Sequence, residues 1–158
     1  MSTATITRAV LAAEMPAVTA WASRRGWTIE ADAPSLRLSA ATVHPVVQTV
    51  IVFCADLTGY PATPPAWTCL NGTGHAASAA FPVAGSRAGL SGSIFHPNGV
   101  ICAPWNRLAY AVHGGPHNDW GDLTGWKTVT GGVTQAHTLA DMLTTLALHL
   151  SASRAIAA

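Results

Sequence analysis

A chain of 158 residues is long enough to bury a core and short enough for one domain, so we expect a single domain over residues 1–158. Charged residues make up only 9% and the net charge is +1, which excludes a basic footprint for nucleic acid or an anionic membrane. Three cysteines without a CxxC pair argue against a disulfide framework and a zinc ribbon, so we expect no metal and no other cofactor. Glu14 and Pro16 interrupt any signal-like apolar run, which favours a cytoplasmic location.

The first predicted element is an amphipathic helix over residues 6–25. Apolar residues recur there at spacings of three and four, Gly26 follows as a stop signal, and Pro16 predicts a kink or a restart. Three runs rich in β-branched residues come next and predict strands in meander order, at residues 27–32, 35–43 and 46–55. Both faces of the third run are apolar, so we expect it to be a central strand.

A proline-rich connector follows the third strand. Residues 56–71 contain three prolines within five positions, which cannot lie inside a sheet ladder: Pro61, Pro64 and Pro65. We expect a rigid extended connector that resumes as a fourth strand at residues 67–70. Residues 71–95 show little pattern beyond a short strand predicted at residues 89–95.

Residues 95–102, FHPNGVIC, combine a turn at His96–Gly99 with a short strand that ends at Cys102. An amide side chain donates a hydrogen bond to an oxyanion without ionising, and a thiol carries an acyl group, so Asn98 and Cys102 form a pair suited to acyl transfer. The alternative is a structural turn before a buried cysteine, because free cysteines mostly behave as small hydrophobes.

The segment from residue 103 to 135 is dense in Gly, Trp and His and has no regular period; such long irregular segments are often functional. Its candidates for orienting or deprotonating an amine are His113, His117, Asn118 and Asp119. Three aromatic residues are candidates to wall a cleft or to pack against the sheet: Trp105, Tyr110 and Trp120. A second amphipathic helix is predicted from Thr138 or His137 to Leu150, with a frayed tail from Ser151.

Together these features resemble the ubiquitin-conjugating enzyme (E2) family, and most of all its divergent bacterial members encoded beside ubiquitin-like modifiers. The resemblance rests on the YPATPP connector at residues 60–65, the His-Pro-Asn triplet at 96–98, Cys102 and the helix TLADMLTTLALHL, and it covers roughly residues 45–150. It implies an α+β, UBC-like fold: an N-terminal helix, an antiparallel meander of about four strands, a long active-site segment and a C-terminal helix.

The resemblance also implies a function. Cys102 would accept a ubiquitin-like modifier as a thioester from an E1-like activating enzyme and pass it to an amine on a target protein, in bacterial antiviral defence. Asn98 would donate a hydrogen bond to the oxyanion. Six residues would support the structure of the site: His96, Pro97, Tyr60, Pro61, Pro64 and Pro65.

The sequence departs from the family pattern in two places. The link between the triplet and Cys102 is short, which requires a tight turn at Gly99. The segment from residue 103 to 135 is longer than usual, and the family's C-terminal helices and amine-orienting acidic loop residue have no counterpart. We therefore expect a truncated fold in which the long segment supplies the missing groups.

Three other functions remain open. A cysteine hydrolase would combine the nucleophile Cys102 with a base and an orienting group from the long segment: His113 or His117, and Asn118 or Asp119. A zinc site would use Cys102, His113 and His117. A non-catalytic E2-like scaffold would need neither Asn98 nor Cys102, so the presence of both favours an active carrier.

Overall fold

The structure is a computed structural model that describes residues 1–71, 80–130 and 134–157. It has an α+β fold with these helices and strands: α1 (Thr3–Arg25), β1 (Thr28–Asp32), β2 (Arg37–Val43), β3 (Val50–Asp56), β4 (Ala66–Asn71) and α2 (Leu139–Ala152). The four strands form one antiparallel sheet in the order β1-β2-β3-β4. The predicted α+β class, N-terminal helix, four-stranded meander and C-terminal helix are confirmed, while a UBC-like fold stays a prediction. Among the described residues, no helix combines the length and apolar character needed to cross a bilayer.

Helix α1 runs through Pro16 without a break, so the predicted restart is wrong. Pro16 lies on the exposed side of the helix, where water can satisfy the carbonyl group that the missing N–H leaves unpaired. Ser2 caps the first turn by accepting a hydrogen bond from the Thr5 N–H. Gly26 ends the helix in the left-handed conformation at φ 70°, as its position in the sequence predicts.

One apolar core joins the sheet to both helices. Leu38 of β2 and Phe53 of β3 are fully buried, and so are Leu139 and Leu146 of α2. Strand β3 pairs with β2 on one side and β4 on the other, which confirms that it is central. Helices α1 and α2 are also linked by the Trp21 indole, which donates to the Thr144 hydroxyl at 2.9 Å.

Three local predictions are wrong. Residues 89–95 form no strand; Phe95 makes a single bridge to Ile101. The long segment contains three 3-10 helices, at Arg107–Ala109, Ala111–His113 and Leu123–Thr128. The tail from Ser151 is not frayed, because α2 extends to Ala152, Ser153 is fully buried and the Ala157 N–H donates to the Phe81 carbonyl at 2.8 Å. The bridge at Phe95 and the 3-10 helices have too few residues to show a hydrophobic period in the sequence. Residues 72–79, within the stretch of little pattern, lie outside the described residues.

The proline connector forms turns at residues 58–62, so the predicted extended conformation is wrong there, and it ties the sheet to α1 and to the long segment. Tyr60 is buried, its hydroxyl donates to Glu14 at 2.7 Å, and its carbonyl accepts from the Thr7 hydroxyl at 2.6 Å. Burial, followed by the hydrogen bond to the Glu14 carboxylate, raises the pKa of Tyr60 far above its usual range. The Pro61 carbonyl accepts from the Trp126 indole, and the Pro65 carbonyl accepts from the Arg107 N–H. Pro64 is buried beside them.

Candidate active site

A tight hairpin holds Cys102. Phe95 and Ile101 pair across it, and the Cys102 N–H donates to the Ile94 carbonyl at 2.6 Å. The turn closes where the Gly99 N–H donates to the His96 carbonyl, and Gly99 has φ 84°, a conformation that favours glycine. Cys102 therefore lies at the base of the hairpin, half-buried, with its backbone fixed.

The thiol of Cys102 meets a histidine that is itself bound to a carboxylate. The Sγ atom lies 3.0 Å from Nε2 of His117, and Nδ1 of His117 lies 3.1 Å from Oδ1 of Asp119. The neutral imidazole protonated at Nδ1 satisfies both contacts, since it donates to Asp119 and accepts the thiol proton. This is the connectivity of a nucleophile, a base and a group that orients the base.

The backbone around residues 109–117 fixes the position of His117. Its N–H donates to the Ala109 carbonyl at 3.0 Å, and its carbonyl accepts from the Ala111 N–H at 2.9 Å. Gly115 permits this close return of the chain, because a Cβ there would lie 2.3 Å from the Leu108 carbonyl oxygen. The HGGPH stretch thus folds back and places His117 against the thiol of Cys102.

Aromatic packing fixes the orientation of the His117 ring. Trp120 stacks on it with ring centroids 3.8 Å apart and planes inclined by 7°. Tyr110 meets Trp120 edge-on at 5.3 Å and donates its hydroxyl proton to the Pro104 carbonyl. Both aromatic residues are buried, so the imidazole has little freedom to rotate away from Cys102.

The environment keeps the thiol protonated. Burial raises the pKa of Cys102, and the negative charge of Asp119 raises it further. The pKa of Asp119 is lowered, chiefly by its hydrogen bond with His117, so its carboxylate is ionised at neutral pH. The resting site therefore pairs a neutral thiol with the imidazole, in contrast to the ionised cysteines of enzymes that depress the thiol pKa.

The raised pKa of Cys102 makes its alkylation depend on pH. We expect the rate with iodoacetamide to rise with pH and to reach half its maximum above the value of about 8.5 typical of a free cysteine, because only the thiolate reacts. Asp119→Asn removes the charge that disfavours the thiolate and should move the midpoint to lower pH. Peptide mass spectrometry after pulsed alkylation measures Cys102 separately from Cys54 and Cys69. A midpoint that rises in Asp119→Asn would contradict this electrostatic assignment.

The other candidates from the long segment lie apart from these contacts. His113 is exposed at the end of a 3-10 helix, and Asn118 is exposed beside the site. Trp105 is fully buried and edge-on to Trp67 at 6.4 Å, so its side chain belongs to the core. Within residues 1–71, 80–130 and 134–157 no group of three His, Cys, Asp or Glu residues is arranged to hold a metal ion. The zinc alternative thus has no support in that part of the chain.

Asn98 lies at the tip of the hairpin. Its Oδ1 accepts from the Val100 N–H at 3.1 Å, and its own N–H donates to Nδ1 of His96 at 3.4 Å. His96 thus binds backbone within the turn, while Pro97 is exposed between the two. Since Cys102 pairs with Ile94 at the base, the extended residues of the hairpin lie between the Asn98 amide and the thiol. The oxyanion role of Asn98 stays a prediction.

No sequence pattern singles out Asn106, which is fully buried and joins β4 to Ile101 in the hairpin that carries Cys102. Its Oδ1 accepts from the Trp67 N–H at 2.8 Å, and its Nδ2 donates to the carbonyls of Trp67 and Ile101 at 3.3 and 2.8 Å. The Leu108 N–H donates to the same Oδ1 at 3.3 Å. An asparagine in an irregular segment resembles an ordinary turn residue, so no local pattern reveals this role.

We expect Asn106→Ala to lower the free energy of unfolding by about 3 kcal/mol, because it leaves several buried backbone groups without partners. Asn118→Ala, at an exposed position of the same segment, is the matched control and should change it by less than about 0.5 kcal/mol. Urea unfolding monitored by tryptophan fluorescence measures both. A loss below about 1 kcal/mol in Asn106→Ala would show that Asn106 does not hold β4 and the Cys102 hairpin together.

No protein-family model matches the chain, and neither a curated protein nor a solved structure matches it. The geometry of Cys102, His117 and Asp119, together with the order of the elements that carry them, therefore indicates what the site can do.

Proposed function

We propose that the protein is an E2-like acyl carrier, in which Cys102 accepts an acyl group as a thioester and passes it to an amine with His117 as the general base. The observation that carries the proposal is the contact of the Cys102 thiol with His117 at 3.0 Å, together with the contact of His117 with Asp119. The likeness of the connector, the triplet and the helix order to the E2 family favours a carrier among the cysteine acyl-transfer reactions.

Loading and discharge use the same imidazole. In loading, Sγ of Cys102 attacks the activated carbonyl, its proton passes to Nε2 of His117, and the leaving group departs with its electron pair and recovers that proton. In discharge, an amine attacks the thioester carbonyl and gives its proton to His117. The tetrahedral intermediate then expels the Cys102 sulfur, which recovers the proton from His117. Asp119 stabilises the imidazolium that forms in each step.

The neutral thiol favours a carrier over an amide hydrolase. An enzyme that attacks an unactivated amide usually depends on a thiolate with a depressed pKa, whereas burial and Asp119 raise the pKa of Cys102. A carrier receives its acyl group in an activated form and needs only a proton acceptor near the thiol. The ubiquitin-like modifier, the E1-like enzyme that activates it, the target protein and a role in antiviral defence belong to this proposal.

A cysteine hydrolase is the second candidate, and the complete Cys102–His117–Asp119 series is the observation that favours it. In that case water replaces the amine as the acceptor. The two functions share loading and differ only in what discharges the thioester, so the acceptor is the quantity to measure.

A surrogate donor tests the proposal without the natural partners. We expect the mercaptoethanesulfonate thioester of acetyl-glycyl-glycine to acylate Cys102 by thiol exchange, seen as a mass increase that dithiothreitol reverses. Added lysine should then remove the acyl group as an amide. Failure to form the adduct, or loss of the adduct at a rate independent of lysine, would reject the carrier.

Asn98 is tested in the same assay. If its Nδ2 donates to the oxyanion, Asn98→Ala should still load but discharge to lysine about a hundredfold more slowly, because one preorganised donor is worth a few kcal/mol in the transition state. Pro97→Ala, at the neighbouring exposed position, controls for disturbance of the turn. Normal discharge by Asn98→Ala would remove Asn98 from the mechanism and leave the role of His117 intact.

A further inference from the structure

An exposed apolar cluster surrounds the turn between β2 and β3. Nine large hydrophobic side chains are exposed among the described residues, and four of them lie within residues 43–50, the stretch that contains this turn. Their exposed fractions are 47% for Val43, 48% for Val46, 39% for Val47 and 48% for Val50. Turn residues are usually small or polar, and a contiguous apolar patch on a protein surface commonly marks an interaction site.

A buried histidine holds these valines in place. His44 is fully buried, and its Nδ1 accepts from the N–H groups of Val46 and Val47 at 3.2 and 3.1 Å. Its Nε2 lies 3.0 Å from the hydroxyl of Ser153, which anchors the turn to the C-terminal tail. Burial lowers the pKa of His44, so the ring is neutral and Nδ1 remains an acceptor. The surface is thus preorganised for binding.

A cavity of about 290 Å³ continues this surface between α1, β2 and α2. Trp27, Val43 and Leu150 provide its apolar walls, while Arg25 and Ser151 also line it. Pockets that combine apolar walls with a few polar groups are typical of binding sites.

The charge at the cavity is positive. Arg25 lines it directly, and Arg87 reaches its rim by donating from Nη1 to the Ser151 hydroxyl at 2.7 Å. In the described part of the chain the two ion pairs involve Arg107 and His117, so neither of these arginines is paired with a carboxylate there. The lining of the cavity contains no acidic residue.

We propose that the four valines and the adjoining cavity form a docking surface for an apolar segment of a partner protein that carries an acidic side chain. The apolar side chains of the segment would cover the valines and enter the cavity, and its carboxylate would pair with Arg25. Charge complementarity selects this occupant, because Arg25 lies over the Trp21 ring at 5.3 Å and has no carboxylate partner in the described part of the chain, so an acidic side chain of the segment can pair with it. The surface contains neither Cys102 nor His117, so this proposal does not depend on acyl transfer.

Short peptides test this surface. We expect acetyl-Leu-Glu-Leu-Val-amide to shift the NMR signals of the Trp27 indole and the Leu150 methyl groups. Its affinity should be about threefold to tenfold higher than that of the peptide with Gln in place of Glu, a difference that high salt reduces. Arg25→Gln should abolish the preference for Glu, while Arg24→Gln, an exposed neighbour outside the cavity lining, should keep it. Val47→Ser should weaken both peptides, and Ile6→Gln, at a similarly exposed position, should weaken neither.

Three outcomes would overturn the proposal. The first is the absence of shifts at Trp27 and Leu150, or equal binding of the Glu and Gln peptides. The second is stronger binding by acetyl-Leu-Leu with a free carboxyl group than by the Glu peptide, which would assign the site to a chain terminus. The third is a dimer in sedimentation experiments that Val47→Ser dissociates, which would make the surface an interface between two copies of this chain.

Discussion

Cys102→Ala is expected to abolish acylation of the protein by the surrogate thioester, because it removes the only thiol that contacts His117 in the described structure. The other two cysteines are buried, and burial raises the pKa of Cys69 to about 12. The Cys69 thiol is therefore protonated at neutral pH, and burial shields both thiols from the donor. Intact-mass spectrometry after brief exposure to the surrogate donor measures the adduct.

Cys54→Ala is the control for this result. It should keep the full adduct, provided that a urea melt shows the variant to be folded. An adduct of normal yield in Cys102→Ala would place the acyl group on another side chain and would reject Cys102 as the carrier. Loss of the adduct in both variants would point to a general effect of cysteine replacement.

His117→Ala is expected to slow discharge of the loaded thioester to lysine by about a hundredfold to ten-thousandfold, the usual contribution of a positioned general base. Loading from an activated donor at high pH should suffer much less, because solvent can then deprotonate the thiol. The measurement is single-turnover discharge, followed from the loss of the acylated mass. If His117 is the base, the rate of His117→Ala should recover partly when imidazole is added to the buffer.

His113→Ala is the matched control for His117. It removes an exposed histidine four positions earlier on the same segment and should leave discharge within about twofold of wild type. A strong defect in His113→Ala with normal discharge in His117→Ala would reverse the assignment of the base. Similar defects in both would indicate that the segment acts through its fold rather than through one imidazole.

Periodic patterns in the sequence predict the frame of the molecule well. The spacing of apolar residues in α1 and α2, the stop at Gly26 and the β-branched runs each reflect an element long enough to repeat its period. The hairpin at Cys102 and the 3-10 helices of the long segment show no periodic pattern of apolar residues, because each spans only a few residues. The burial of the tail at Ser153 depends on a partner far away in the sequence, His44, which no local pattern shows.

The candidate site was only partly predictable for the same reason. The residue types suitable for acyl transfer were visible, but the sequence could not distinguish His113 from His117 or Asn118 from Asp119. The choice follows from the fold-back at Gly115, which brings the His117 backbone against Ala109. Asn106 acts through four hydrogen bonds to distant or irregular backbone, so its importance is a property of the folded chain alone.

The most direct test of the carrier assignment is the fate of the acyl group on Cys102. Protein loaded with the acetyl-glycyl-glycyl group is freed of excess donor and divided between buffer with lysine and buffer without it. The products are then identified by mass spectrometry over time. An E2-like carrier predicts a thioester that persists in buffer and yields the lysine amide at a rate that rises with lysine concentration and depends on His117. Rapid conversion to the free acid at the same rate in both buffers would contradict that account and identify the protein as a hydrolase.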